Sequence, residues 1–343
     1  MKISILTRNE NSSPRILAES LLNQLTVTGI RTELIFGLDF LNRLVAYPDS
    51  GLSRHFWLKR KLSCLRKDRK LLKQLKKADA IVVSECIPNA FWKGLYNIER
   101  LRQITGKPVF IYEVYALANA PTQIKQLEAK SDPLFSRYDG HLFVSPVTER
   151  RLQGLLPDTF CIGLFAKKWG LEPRPKKELL AIVDFVQPGY ESYREVQVRA
   201  LKKAGISYIS LETRYTIAEI REIYSSASIF FLQFPEAFGV PVLECLCAGA
   251  QIFTPDSSWP MSWRLDEKPA VHGKGRLPGC FTVYENEDDL LQKLLLFKTA
   301  FDPNTTPVGI TKEFMEYYSS FYNGDQKELD RFLSFVDEKR HRD

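Results

Sequence analysis

Apolar and polar positions along the chain follow two rhythms. Residues 3–7 form a short apolar run, a polar turn follows, and then Ile16, Leu17, Leu21, Leu22 and Leu25 recur at helical spacing until Gly29 closes the segment. The same alternation predicts a strand over 32–36, a long helix over 58–77, a strand over 80–84, a helix over 89–105, and strands over 108–112 and 140–145. Strands separated by helices are joined by crossovers rather than hairpins, so the pattern implies α/β architecture with parallel strands in a doubly wound sheet.

After Pro157 the pattern loosens into FCIGLFAKKWGLEPRPKK, where Pro173 and Pro175 end any regular element, and a boundary is expected between 166 and 177. Alternation then restarts with strands over 179–186, 207–211, 228–232 and 251–254 separated by helices over 193–204, 217–226 and 240–248. A Gly/Pro-rich loop, HGKGRLPG, precedes a strand over 281–284 and helices over 287–298, 312–322 and 327–340. The expected division is 1–170, 171–325, and a terminal helical segment 326–343. A chain of 343 residues is long enough for two such cores.

Composition narrows the class. With 44% hydrophobic and 26% charged residues the chain is a folded globular one rather than a disordered or fibrous one. It has no apolar run long enough to span a bilayer and turns polar too soon for a secretory signal, so a cytoplasmic protein is expected, peripheral at the inner membrane face at most. Six cysteines (64, 86, 161, 245, 247 and 280) and four scattered histidines lack metal-ligand spacing, and reduced, mostly buried thiols are expected. Surface or cleft-lining positions are expected for His55, His141, His272 and His341.

The most informative segment is FPEAFGVPVLECLCAGAQIF, residues 234–253, directly after the apolar strand SIFFL. Ligands of open parallel sheets bind at the carboxyl ends of strands, which is where Glu236 falls. Gly239 allows close backbone approach, and Pro241 suits a first helical turn, so a helix starts near Val240. Its open amides form a seat for phosphate, and Glu244, one turn in, can accept hydrogen bonds from ribose hydroxyls. Phosphate on backbone and sugar on carboxylates describes a nucleotide sugar. Read blandly, Leu243, Leu246 and Cys247 make this an ordinary helix packed on a sheet.

The run PEAFGVPVLECLCAGAQIF resembles the glutamate, seven residues, glutamate motif of retaining glycosyltransferases of the GT-B fold, family-four type. The resemblance is specific over residues 207–256 and compatible in layout along the rest. It implies two Rossmann-like domains facing across a cleft, with the nucleotide sugar held by the second. It further implies Glu236 at the donor sugar near its reacting carbon and Glu244 at the ribose. Phe238, Gly239, Val240 and Pro241 would line sugar and diphosphate, and neither metal ion nor cofactor would be needed. The family's Gly-Arg after the first strand of that domain is replaced by FVQPGYESYREV, with Gln187 near the arginine position. Arg194 is then the nearest cation for the diphosphate, with Arg199 and Lys202 as further candidates; each reads equally well as an exposed helix cation. The Gly-rich first turn is replaced by RNENSSP, making Asn11, Ser12 and Ser13 acceptor-side candidates, with Ser12 or Ser13 as helix cap. Where relatives carry a histidine, FIYEVY offers Glu113, either to orient or deprotonate an acceptor hydroxyl or as a structural acid. Trp259, Trp263 and Arg264 either shape the pocket or pack a loop.

The net charge of +7 is concentrated: residues 54–77 carry eleven Lys or Arg and one acid, a local +10 that leaves −3 for the rest. Leu58, Leu62, Leu65, Leu72 and Leu75 are expected on one side of this helix, with Phe56 and Trp57 at its start. Such a helix can lie on an anionic membrane and meet a lipid-held acceptor, or it can turn its leucines to the domain core. Nucleic acid is not expected, because the remaining chain is slightly acidic and carries no reading motif. The leading function is transfer of a sugar from a nucleotide-diphosphate sugar to an acceptor hydroxyl, a lipid or a glycan. The alternative is a degenerate GT-B domain that binds a sugar nucleotide or a partner protein.

Overall fold

The computed structural model describes residues 1–8, 12–44, 50–85, 97–115, 138–145, 158–236, 238–266 and 275–340. The chain divides into two compact units, Met1–Phe165 with Gly324–Asp343, and Ala166–Asn323.

The first unit runs β1 (Lys2–Thr7), α1 (Ser13–Val27), β2 (Arg31–Phe36), α2 (Asp39–Arg43), α3 (Arg54–Leu75), β3 (Ala80–Ser84), α4 (Ile98–Thr105), β4 (Val109–Tyr115), β5 (Gly140–Ser145) and β6 (Thr159–Cys161). All six strands are parallel, in the order β2-β1-β3-β4-β5-β6. β3 and β5 are buried at every position, which is why they read as unbroken apolar runs. Leu17, Leu21 and Leu25 of α1 are fully buried, and Leu71 and Leu75 of α3 join Leu6, Ile81 and Ile111 in the sheet's core. α2 was not anticipated, being five residues long, nor was the three-residue β6 in the loosened stretch. Of the helix expected over 89–105, residues 89–96 lie outside the described residues; α4 starts where the Asn97 side chain accepts from the Arg100 amide at 2.8 Å.

The second unit runs β7 (Leu180–Val183), α5 (Glu191–Ala204), β8 (Ser207–Ser210), α6 (Ile217–Ser226), β9 (Ile229–Phe231), α7 (Val240–Cys247), β10 (Gln251–Thr254), β11 (Phe281–Val283), α8 (Glu287–Ala300), α9 (Thr306–Tyr317) and α10 (Ser319–Asn323). Its five strands are again parallel, ordered β11-β10-β9-β7-β8. Leu201 of α5 and Leu290 and Leu294 of α8 bury against Val183, Phe231 and Phe253. The Lys176 ammonium bonds the carbonyls of Ser225 and Ala248 at 2.8 and 2.7 Å, a cation placed on the C-terminal ends of α6 and α7. The single helix expected over 312–322 is broken at Tyr318, whose backbone leaves the helical region so that its ring packs on Phe321 and Trp263 and its hydroxyl donates to the Trp263 carbonyl.

The last helix, α11 (Gln326–Arg340), belongs to the first unit. Phe332 meets Phe110 and Phe160 edge-on at 5.1 and 5.5 Å between ring centroids, and Arg331 lies over the Phe160 ring and donates to the Thr159 carbonyl. Leu329, Phe332 and Val336 are its buried positions, spaced for one helical face.

Candidate functional site

In the second unit the connection after β7 leads to β8 on one side, and the chain then returns to β9 on the other side of β7. The order of strands reverses between β7 and β9, and ligands of open α/β sheets bind at the carboxyl ends of such a pair. Asp184 follows β7 directly, and Glu236 follows β9 by five residues. Between β9 and Glu236 the chain is anchored by a buried amide network. Gln233 donates to Gln197, and Gln197 donates to the Leu232 carbonyl at 2.8 Å and the Tyr284 hydroxyl at 2.7 Å.

Gly239 makes the turn into α7 with φ of 70°. A Cβ there would stand 2.8 Å from both Glu236 Cγ and Val242 Cγ2, so two constraints exclude other residues. Its amide donates to the Glu236 carboxylate. Leu243 closes the first helical turn on the Gly239 carbonyl at 3.2 Å. The earlier amides, of Val240 and Val242, point out of the helix end, and Pro241 contributes none.

Three acids surround this helix start. Burial pushes the Glu236 carboxyl up to about 7 against the opposing Gly239 amide. Asp184 is also pushed up to about 7, by burial first and the Glu236 charge second, while the Phe185 amide and Arg194 oppose it; its Oδ1 is buried without a hydrogen-bond partner. Glu244 is buried and its Oε1 accepts from Arg221 Nε at 2.7 Å, with Arg221 also lying over Trp169. Burial raises the Glu244 carboxyl and Arg221 pulls it back. Neither Asp184 nor Arg221 was singled out from sequence: one residue at a strand end and one mid-helix cation carry no spacing signal.

The Asp184 titration has a consequence for stability. Its native value lies above that of an unfolded aspartate, about 3.9, so between about pH 4 and 7 the folded chain holds a proton that the unfolded chain lacks. Stability therefore falls as pH rises through that window. Asp184→Asn is expected to flatten the dependence of the denaturation midpoint on pH between about pH 4 and 7; an unchanged slope would contradict the burial of this acid.

Other candidates moved. The Phe238 ring is buried, stacked on Trp263 at 5.3 Å with 16° between planes, and its carbonyl accepts from Trp263 Nε1. Phe238 and Trp263 are therefore core residues that brace the Gly239 turn from behind rather than pocket lining. Arg264 is buried, with Asp266 and Asp256 as its nearest acids. Trp259 is partly exposed, edge-on to Tyr193 at 5.1 Å. Lys202 leaves the donor set: it is exposed at the C-terminal end of α5, roughly 16 Å along the helix axis from the end next to the site. Arg199 pairs with Glu287 at 2.9 Å on the surface. Arg194 stays near Asp184 but donates to the Ser210 hydroxyl and Leu211 carbonyl at 2.9 and 3.0 Å.

In the first unit, Glu113 and His141 are both fully buried, with Glu113 Oε1 3.1 Å from His141 Nδ1. Burial raises the Glu113 carboxyl and His141 opposes the rise. This places His141 in the core, contrary to the expectation of a surface or cleft-lining ring. Ser12 sits at the N-cap of α1 with its carbonyl accepting from Arg15 and Ile16, but its hydroxyl makes no capping bond; Ser13 is the first helical residue and Asn11 lies outside the described residues. Arg8, just past β1, pairs with the buried Glu85 at the end of β3 at 2.8 Å, again where strand order reverses. His55 is exposed, and His272, His341 and Cys86 lie outside the described residues. Cys245, Cys247 and Cys280 are buried with their thiols pushed up by burial, which makes them unreactive. Among the described residues no three His, Cys, Asp or Glu side chains gather as metal ligands.

No protein-family model and no curated protein matches the sequence. Solved structures do match: HepE of Anabaena, crystallised with UDP and glucose, has a TM-score of 0.51 at 10% identity, over 97% of this chain and 99% of that one. The fold is GT-B. MurG of Acinetobacter baumannii also matches, with a TM-score of 0.46 at 14% identity over 98% of this chain and 99% of that one. In the GT-B frame the two parallel sheets are the paired Rossmann-like domains, and the β7–β9 switch point belongs to the second of them.

Proposed function

We propose that this chain is a glycosyltransferase that moves a sugar from a nucleoside-diphosphate sugar to an acceptor hydroxyl, with retention and without a metal ion or cofactor. The observation that carries the reading is the switch point of the second sheet, where Asp184 and Glu236 stand beside the amide-bearing start of α7. A helix N-terminus bears about half a positive charge and open N–H groups, so it stabilises the diphosphate as negative charge builds on it during bond cleavage. Glu236, with a pKa near neutrality, can accept from or donate to a sugar hydroxyl beside the reacting carbon. Glu244 holds one carboxylate oxygen on Arg221, which fixes the other for the ribose hydroxyls. That HepE was crystallised with UDP and glucose on the same fold favours a UDP-sugar as donor.

A thermal-shift series with UDP-, GDP- and ADP-sugars tests the reading, and a UDP-sugar is expected to raise the melting temperature. Glu244→Gln keeps an acceptor for Arg221 but removes the charge; it is expected to weaken donor affinity by about tenfold with little effect on turnover at saturation. No stabilisation by any of the three nucleotide classes would refute donor binding. Donor hydrolysis without acceptor separates a transferase from a chain that only binds.

A further inference from the structure

The basic helix α3 contacts its own unit through a narrow face. Only Leu71 and Leu75 are buried, and Asp68 beside them holds Arg43 at 2.6 Å. Leu58, Leu62 and Leu65, expected to share a side with Leu75, instead point elsewhere and are 44%, 69% and 43% exposed. Their i, i+4, i+7 spacing makes a stripe roughly a third of a turn around the helix from the buried pair. Phe56, 64% exposed, adds an aromatic ring at the same end, and Lys59, Arg66, Lys70 and Lys73 stand exposed beside the stripe. Among the described residues none of these three leucines joins the buried core of the unit, so the reading in which they face the core does not hold for them.

We propose that the Leu58, Leu62 and Leu65 stripe of α3 docks the protein on an anionic lipid bilayer, with the leucines in the interface and the flanking cations on headgroup phosphates. Charge complementarity selects this occupant: residues 54–77 carry +10 while the remainder of the chain sums to −3, so the attraction is local to this helix. An apolar stripe edged by Lys and Arg on a highly polar helix is the composition of interfacial helices. No described helix is long and apolar enough to cross a membrane, so the contact is a surface one. A nucleic acid would use the cations but leave the leucines idle. The docking stands apart from the transferase reading, because it needs neither donor nor turnover.

The test is co-sedimentation of the full chain with phosphatidylcholine vesicles, with and without phosphatidylglycerol. Wild type is expected to pellet with the anionic vesicles, less so with neutral ones and at high salt. The Leu58→Ser, Leu62→Ser, Leu65→Ser variant is expected to lose about tenfold or more in partitioning at unchanged melting temperature, because the replaced side chains are exposed. Lys59→Glu with Arg66→Glu is expected to lose about tenfold or more as well, and only toward the anionic vesicles. Wild type remaining in the supernatant overturns the proposal. So does a leucine variant that binds as wild type, which would leave a merely polycationic helix. Preference for duplex DNA over the vesicles, or loss of a leucine-dependent dimer in place of vesicle binding, assigns the face to another occupant and overturns it too.

Discussion

Glu236→Gln is expected to lower transferase turnover by about a hundredfold to a thousandfold while the protein melts at or above the wild-type temperature. The two halves of this expectation come from the same geometry. The carboxyl sits where the sheet order reverses, on the amide that opens α7, and in the proposed reading it meets a sugar hydroxyl beside the reacting carbon, so losing its charge removes an interaction with the transition state. Burial has already pushed that carboxyl up to about 7, which means its ionised form costs the fold free energy at neutral pH, and a neutral amide of the same shape relieves the cost. Steady-state turnover with the donor found in the thermal-shift series, measured beside a melting curve, reads both. Turnover within a few-fold of wild type would remove Glu236 from the chemistry.

Phe332→Ala is expected to cost the first unit about 3–5 kcal/mol. The ring is fully buried and fills the angle between Phe110 of β4 and Phe160 of β6, two strands that are not neighbours in the sheet. Truncation leaves a hole bounded by the sheet's backbone, which cannot collapse around it as a loop would. Urea denaturation followed by a probe in the first unit should show the midpoint fall. A loss below about 1 kcal/mol would mean that α11 is only loosely held.

The strands and most helices were legible because parallel sheets covered on both faces write themselves as apolar runs, as β3 and β5 do at every position. Glu236, Gly239 and Glu244 were legible because a proline and a glycine punctuate the entry to α7 and place both acids relative to it. What escaped was whatever depends on which face a residue takes. Leu58, Leu62 and Leu65 look like core until the turn of α3 sets them away from Leu71 and Leu75. Phe238 looks like pocket lining until Trp263, 25 positions later, is seen to stack on it. Asp184 and Arg221 reach their places beside Glu236 and Glu244 through strand order and helix packing, neither of which is encoded in local spacing. Lys202 was a candidate by sequence proximity, but its helix runs away from the site.

The first unit is discontinuous in sequence: its sheet is finished by α11, after the whole of Ala166–Asn323 has been laid down. During synthesis the amino-terminal sheet emerges from the ribosome with Phe110 and Phe160 uncovered, and it stays so until α11 has been made and can reach it. The later unit, a single uninterrupted stretch, can close first. Nascent chains stalled before Gln326 should accordingly present an open aromatic flank to chaperones, because the helix that covers Phe110 and Phe160 follows the whole second unit in the chain.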